Sequence, residues 1–211
     1  MTYRAVIFDL GGVIFPSPFD VFSAYERDHG LPDRFLRGVV AASADTGAWA
    51  RLERGETTFS RFCEDFELEC VAAGGTVEAS TLMTVVGGRF EPHAEMLAAV
   101  TRIRDEGLKT AALTNNWAEM ATDGTGHELP ALHHVFDVII ESAVEGVRKP
   151  DPAIYHLTCM RLGVVAEDAV FLDDLGVNLK PARELGMTTI KVADPPSALA
   201  ELETVLGFSL S

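Results

Sequence analysis

Four short polar clusters hold the residues of this chain that could do chemistry: Asp9, Thr114-Asn115, Lys149-Pro150 and Asp173-Asp174. Each follows an apolar run or opens a helical pattern. Asp9 closes the run Tyr3-Arg4-Ala5-Val6-Ile7-Phe8 and precedes Leu10-Gly11-Gly12, so a carboxylate stands at the end of a buried strand beside a backbone able to turn sharply. A carboxylate there can be a nucleophile, a metal ligand, or both. Singly, each cluster has a plain alternative as a turn residue, a helix cap or a surface charge. Together they make coherent chemistry. Three close carboxylates repel unless a cation neutralises them, and an all-oxygen donor set favours Mg²⁺. The Thr114 hydroxyl and the amides beside it suit a phosphoryl oxygen. Lys149 is a compact positive charge for both Asp9 and a phosphate. The set describes phosphoryl transfer to an aspartate followed by hydrolysis.

These clusters converge only if the strands before them are parallel, because then their carboxyl ends share one edge, where open α/β sheets bind ligands. The pattern predicts that arrangement. Apolar strands at residues 3–9, 108–113, 136–140, 169–172 and 188–192 alternate with helices at 92–106, 152–162, 178–185 and 195–206. A looser, glycine-bearing segment spans 118–130. Between the first strand and residue 92 the pattern is helical only: Phe19, Phe22 and Tyr25 recur at helical spacing, as do Phe59, Phe62, Phe66 and Cys70. The expected fold is α/β, a Rossmann-like parallel sheet with helices on both faces plus an inserted all-helical cap. The core is read as residues 1–15 and 92–211 and the cap as 16–91.

The chain has 211 residues, 47% of them hydrophobic, and a formal net charge of −15. An acidic balance argues against a nucleic-acid partner and against docking on anionic membranes. No apolar run reaches membrane-spanning length. Cys63, Cys70 and Cys159 lack ligand spacing and read as plain thiols, so the expected location is cytoplasmic, with no zinc. His133-His134 would diverge on a helix and His93 suits a helix start, so neither makes a metal site.

Phe8-Asp9-Leu10-Gly11-Gly12-Val13, Leu113-Thr114-Asn115, Arg148-Lys149-Pro150-Asp151 and Phe171-Leu172-Asp173-Asp174 resemble, in order, the four motifs of the haloacid dehalogenase-like hydrolase superfamily. The resemblance spans essentially the whole chain. Within the superfamily the chain is most similar to the N-terminal phosphatase domain of soluble epoxide hydrolases and to the related domain of acyl-CoA dehydrogenase-like fusion proteins. Leu113-Thr114-Asn115-Asn116-Trp117 and the run from Val170 to Arg183 carry that finer likeness. The resemblance implies Asp9 as nucleophile and Mg²⁺ ligand, the Gly11 carbonyl as a second ligand and Asp174 as a third, with Asp173 in the outer shell or sharing that role. It implies Thr114 and Asn115 as phosphate holders and Lys149 as the neutralising cation. Asn178, one turn beyond Asp174, is a further candidate. The implied substrate is a small phosphorylated molecule; the oligomeric state stays open.

One position departs from the pattern. Phosphatases of this superfamily usually carry a second aspartate two residues after the nucleophile, which protonates the leaving alcohol and then activates water; here that position is Gly11. General acid–base help is worth about 10²–10⁴-fold, so the expectation is a slow phosphatase favouring good leaving groups, or an acid recruited from the cap. Arg51 or Arg54, in Trp49-Ala50-Arg51-Leu52-Glu53-Arg54-Gly55-Glu56, could reach a substrate anion or simply line a solvated helix face. Two alternatives stay open. One is a metal-independent 2-haloacid dehalogenase, against which the paired Asp173-Asp174 argues, since uncompensated carboxylates repel an anionic substrate. The other is a non-catalytic binding or regulatory member, supported by Gly11.

Overall fold

The computed structural model describes residues 3–88, 91–117 and 132–210; the looser segment at 118–130 lies outside them. Strands β1 (Ala5–Phe8), β2 (Lys109–Thr114), β3 (Val138–Glu141), β4 (Ala169–Asp173) and β5 (Thr188–Lys191) form one parallel sheet in the order β3-β2-β1-β4-β5. β1 is central and buried along its length, which is why it reads as a continuous apolar run rather than an alternating one. Its side chains still alternate between faces. Val6 and Phe8 join the cluster under α6 (Ala94–Asp105) and α10 (Pro195–Leu206). Ala5 and Ile7 join the cluster under α8 (Pro152–Leu162) and α9 (Gly176–Glu184). Fully burying one such Phe or Ile is worth about 1.5–3 kcal/mol.

The order reverses between β1 and β4, with β2 and β3 continuing to one side of β1 and β4 and β5 to the other. The crevice outside the carboxyl ends of β1 and β4 is therefore the switch point of the sheet, the place such folds bind ligands. Asp9 and Asp173 both reach it.

Residues 18–86 form helices α1 (Pro18–Asp28), α2 (Phe35–Ala42), α3 (Ala48–Glu53), α4 (Phe59–Ala72) and α5 (Ala79–Val86), with no strand among the described residues. They share a hydrophobic cluster built on the aromatic spacing of the sequence. Trp49 sits at its centre, with ring centroids 5.3 Å from Phe22, 5.7 Å from Phe62 and from Phe66, and 6.4 Å from Trp117. The chain leaves the sheet at Phe15 and returns beside its exit: the His93 amide donates to the Ile14 carbonyl at 2.8 Å. A short helix α7 (Ser142–Glu145) follows β3 and was not expected from the sequence; its four residues are too few for a helical period to register.

Candidate active site

The Asp9 amide donates to Leu172 O at 2.9 Å, extending the β1–β4 ladder by a residue and setting Asp9 level with Asp173. Lys149 reaches both from the loop before α8. Its Nζ lies 2.8 Å from Asp9 Oδ1 and 2.8 Å from Asp173 Oδ2, with only 1% of its side chain exposed. Asp9 Oδ1 also accepts the Leu10 amide at 2.7 Å. Asp173 is saturated with donors: Oδ1 accepts the Leu175 amide at 2.8 Å, and Asn178 Nδ2 donates to Oδ1 at 3.1 Å and to Oδ2 at 3.0 Å. Asn178 thus meets the site through Asp173.

Asp174 turns the other way, toward the loop after β1. Its Oδ2 accepts the Ser17 hydroxyl at 3.3 Å. Gly12, at φ +79°, lets it in: a Cβ there would stand 2.5 Å from the Asp174 carboxylate. Glycine is needed at 12 for both conformation and space. Gly11 has no positive φ, and a Cβ on it would meet Pro18 Cδ at 3.3 Å. Sequence reasoning missed Ser17 and Pro18; the Ser-Pro pair that caps and opens α1 was the available signal.

Thr114 ends β2, buried. The Asn115 side chain is engaged with protein: Oδ1 accepts the Lys149 amide at 2.9 Å, and Nδ2 donates to Lys149 O at 3.1 Å. This two-bond clasp ties the lysine loop to the end of β2 and engages both polar atoms of the Asn115 side chain with protein. Asn115 Nδ2 also donates to Glu53 Oε2 at 3.3 Å, a contact from α3 that the sequence did not suggest. Arg51 and Arg54 do not reach the site. Arg51 binds Asp65 at 2.8 Å and the Thr46 carbonyl at 2.7 Å, and Arg54 binds Glu56 at 2.7 Å and the Asp45 carbonyl at 3.0 Å.

Carboxylate oxygens of Asp9, Asp173 and Asp174 lie within 4.8 Å of one another. At that spacing and an effective dielectric constant near 20, each like-charged pair repels by about 3 kcal/mol. Burial raises the Asp9 carboxyl well above the ordinary range; Lys149 pulls it down, while Asp173 and Asp174 push it up. Burial and then Asp173 push Asp174 up to about 6. Burial opposes the Lys149 ammonium, but Asp173 and Asp9 outweigh it and hold its pKa above that of an ordinary lysine. One ammonium is set against three carboxylates, and a donor set of this kind suits a hard divalent cation.

The molecule is thus an α/β protein whose parallel sheet carries a buried lysine and an acidic cluster at its switch point, with a helical segment between β1 and α6. The haloacid dehalogenase-like hydrolase model matches residues 3–186, and the chain belongs to that family. It is 40% identical to acyl-CoA dehydrogenase family member 10 of Mus musculus, over 99% of this chain and 20% of that protein. It is 35% identical to bifunctional epoxide hydrolase 2 of Sus scrofa, over 100% of this chain and 40% of that protein. The chain therefore spans only a fifth and two fifths of these relatives. A relative matched nearly end to end is a sesquiterpene phosphatase of Aspergillus oryzae, 26% identical over 98% of each chain. Among solved structures, a family enzyme of Bacteroides thetaiotaomicron in complex with magnesium and inorganic phosphate superposes with TM-score 0.66 at 18% identity, covering 93% of this chain and 98% of that one. That likeness concerns the fold.

Proposed function

We propose that this hydrolase is a Mg²⁺-dependent phosphatase of small phosphate monoesters, acting through an aspartyl-phosphate on Asp9, with residues 1–15 and 92–211 as the catalytic core and 16–91 as its cap. The observation that carries the reading is Asp9 at the switch point, 2.8 Å from the buried ammonium of Lys149 and beside a second, differently oriented carboxylate, Asp174. Asp9, the Gly11 carbonyl and Asp174 would hold Mg²⁺, which when bound neutralises the carboxylates and the substrate phosphoryl group and so favours ionised Asp9.

An Asp9 carboxylate oxygen attacks phosphorus, and the bond from phosphorus to the leaving oxygen breaks. Thr114 Oγ1, the backbone at Asn115 and Lys149 Nζ stabilise the charge on the transferring group. Asp173 holds the lysine in place, and Asn178 holds Asp173. Water then attacks the phosphorus of the aspartyl-phosphate, releasing inorganic phosphate and restoring Asp9. Gly11 brings no acid, so the leaving oxygen takes its proton from water, and aryl phosphates are the better substrates. A dehalogenase needs no cation, and three carboxylates facing one ammonium fit an anionic haloacid poorly. The phosphatase names among the relatives support the reading. A reduced, cytoplasmic setting is part of it, in keeping with Cys70 and Cys159 standing as free thiols. The test is hydrolysis of p-nitrophenyl phosphate with and without Mg²⁺. Release of p-nitrophenolate that depends on Mg²⁺ and stops with a chelator is expected; metal-independent turnover, or none, would overturn the reading.

A further inference from the structure

Glu53 is the point at which the helical cap enters the catalytic loops, and neither its motif nor its charge accounts for where it sits. It is the last residue of α3 and is 8% exposed. Oε1 accepts the Trp49 indole N–H at 2.9 Å, so its orientation is set by the residue at the centre of the cap's aromatic cluster. Oε2 faces the core, accepting Asn115 Nδ2 at 3.3 Å and pairing with Arg148 Nε at 2.7 Å, where the N–H direction misses the oxygen and the contact is ionic. Arg148 directly precedes the catalytic lysine, and its Nη1 donates to the Ala44 carbonyl, just before α3, at 2.7 Å. The cap is close here: a Cβ on Gly55 would stand 2.6 Å from the Ala143 carbonyl.

We infer that Glu53 is a positioning residue which, through Asn115 and Arg148, makes the placement of the Lys149 loop depend on α3 being seated. Both groups it holds act on that loop. Asn115 clasps the Lys149 backbone at N–H and C=O. Arg148 is covalently next to it. Lys149 Nζ makes two 2.8 Å contacts at once, to Asp9 and Asp173. A shift of about 1 Å in such a loop costs about 10²-fold in rate. The arginines on either side of Glu53 in sequence bind within the cap, so α3 reaches these loops through its carboxylate.

The kinetic arm of the test rests on the phosphatase reading; the exchange arm does not. Glu53→Gln, Arg148→Met, the double variant and Arg148→Lys are compared with wild type and with Arg51→Gln, which alters a pair inside the cap. Turnover of p-nitrophenyl phosphate with Mg²⁺ should fall about 10²-fold in kcat in Glu53→Gln and in Arg148→Met, with KM little changed. The double variant should be no worse than the poorer single, because one linkage is cut in both. Arg148→Lys should recover much of the loss, and Arg51→Gln should match wild type. Hydrogen exchange at the Lys149 amide should quicken in Glu53→Gln and Arg148→Met while β1 amides keep their protection. Wild-type kcat in a folded Glu53→Gln or Arg148→Met, losses that simply add, or unchanged exchange at Lys149 would overturn the inference. If Glu53→Gln fails to fold by circular dichroism, the two Arg148 variants decide. If wild type shows no Mg²⁺-dependent turnover, the phosphatase reading falls and the exchange arm decides the linkage.

Discussion

Carboxylates sheltered from solvent at the sheet edge and among the helices of the cap do opposite work. At the sheet edge, Asp9 and Asp173 meet a buried ammonium and crowd a third carboxylate, and the unbalanced charge calls for a ligand. In the cap, three glutamates, Glu26 buried and Glu67 and Glu69 half-buried, meet backbone amides and their charge is used up, in contrast to Glu53. Glu26 accepts the Arg34 and Leu36 amides at 2.9 and 2.8 Å at the start of α2. Glu69 accepts the Ala48 amide at the start of α3 at 2.8 Å, and Glu67 accepts the Ala79 amide at the start of α5 at 2.9 Å. None of these three helices has a side-chain bond from its own N-cap residue, so each is capped from another helix. The same functional group builds architecture where its partners are amides and chemistry where its partners are other ions.

The largest expected effect would break the comparison at the sheet edge. Asp9→Asn should keep the fold and lose activity on the order of 10⁶-fold, as when a nucleophile is removed; steady-state turnover beside circular dichroism checks it. Asp174 follows. Burial and Asp173 push its folded pKa up to about 6, above the ordinary aspartate value of about 3.9, so without a cation the native state keeps a proton that the unfolded chain releases. The sign follows: this contribution to stability is full below about pH 4 and is lost as pH rises through about 6. After discounting for partial exposure the loss is about 1–2 kcal/mol. On the proposed reading Mg²⁺ offsets this loss, so the Mg²⁺-induced rise in Tm should grow across that window, at about 2–4 °C per kcal/mol. Thermal melts between pH 4.5 and 7.5, with and without Mg²⁺, should show this in wild type, and both the pH trend and the Mg²⁺ response should shrink in Asp174→Asn, the part that remains belonging to Asp9, whose carboxyl is also raised by burial.

The two regions also differ in what a reader of the chain can see. Asp9, Thr114, Lys149 and Asp173-Asp174 were legible because each directly follows a strand or precedes a helix, so local pattern plus one parallel sheet brings them together. Helix α8 and the apolar face of α1 were legible for the same reason, in their Pro starts and aromatic spacing. Glu53 was not. Its role arises where α3 meets the loops of the core, Glu53 pairing with Arg148 and accepting from Asn115 while Arg148 reaches back to Ala44, contacts between residues 62 to 104 apart in the chain that leave no periodic trace. Charge pointed to Arg51 and Arg54, yet nearby acids, Asp65 and Glu56, satisfy both. Capping in trans hides equally well, because Arg34, Gly47 and Glu78 give no N-cap signal of their own.

Gly11→Asp sharpens the contrast from the core side, by adding a carboxyl group at a position that has no side chain. Gly11 has an ordinary φ, so an aspartate meets no backbone strain, but its Cβ would press on Pro18 Cδ at 3.3 Å and its charge would join three carboxylates. The gain in turnover of an alkyl phosphate relative to p-nitrophenyl phosphate should therefore stay near the bottom of the general-acid range, about 10²-fold or less, and Pro18→Ala in the same chain should enlarge it. A rate in wild type that is flat against leaving-group pKa, with chemistry rate-limiting, would mean the proton is already supplied elsewhere.

The smallest effect tests the cap side. Helix α5 begins with two amides satisfied from afar: Glu78 N–H donates to the Tyr25 hydroxyl at 3.0 Å and Ala79 N–H to Glu67 Oε1 at 2.9 Å. Glu67→Ala removes an acceptor and a charge facing the positive end of that helix, and should cost about 1 kcal/mol, or about 2–4 °C in Tm. Glu67→Gln keeps an acceptor and loses only the charge, so its cost should be smaller, about 0.3–1 kcal/mol. Because α5 touches no catalytic loop through this contact, kcat for p-nitrophenyl phosphate should equal that of wild type in both variants. Melting curves and turnover measured together make the distinction. Equal destabilisation by Ala and Gln would assign the capping to charge alone. A fall in kcat comparable to that of Glu53→Gln would mean that the cap transmits any loosening to the lysine loop, and that amide-bound and ion-bound carboxylates cannot be separated by function in this protein.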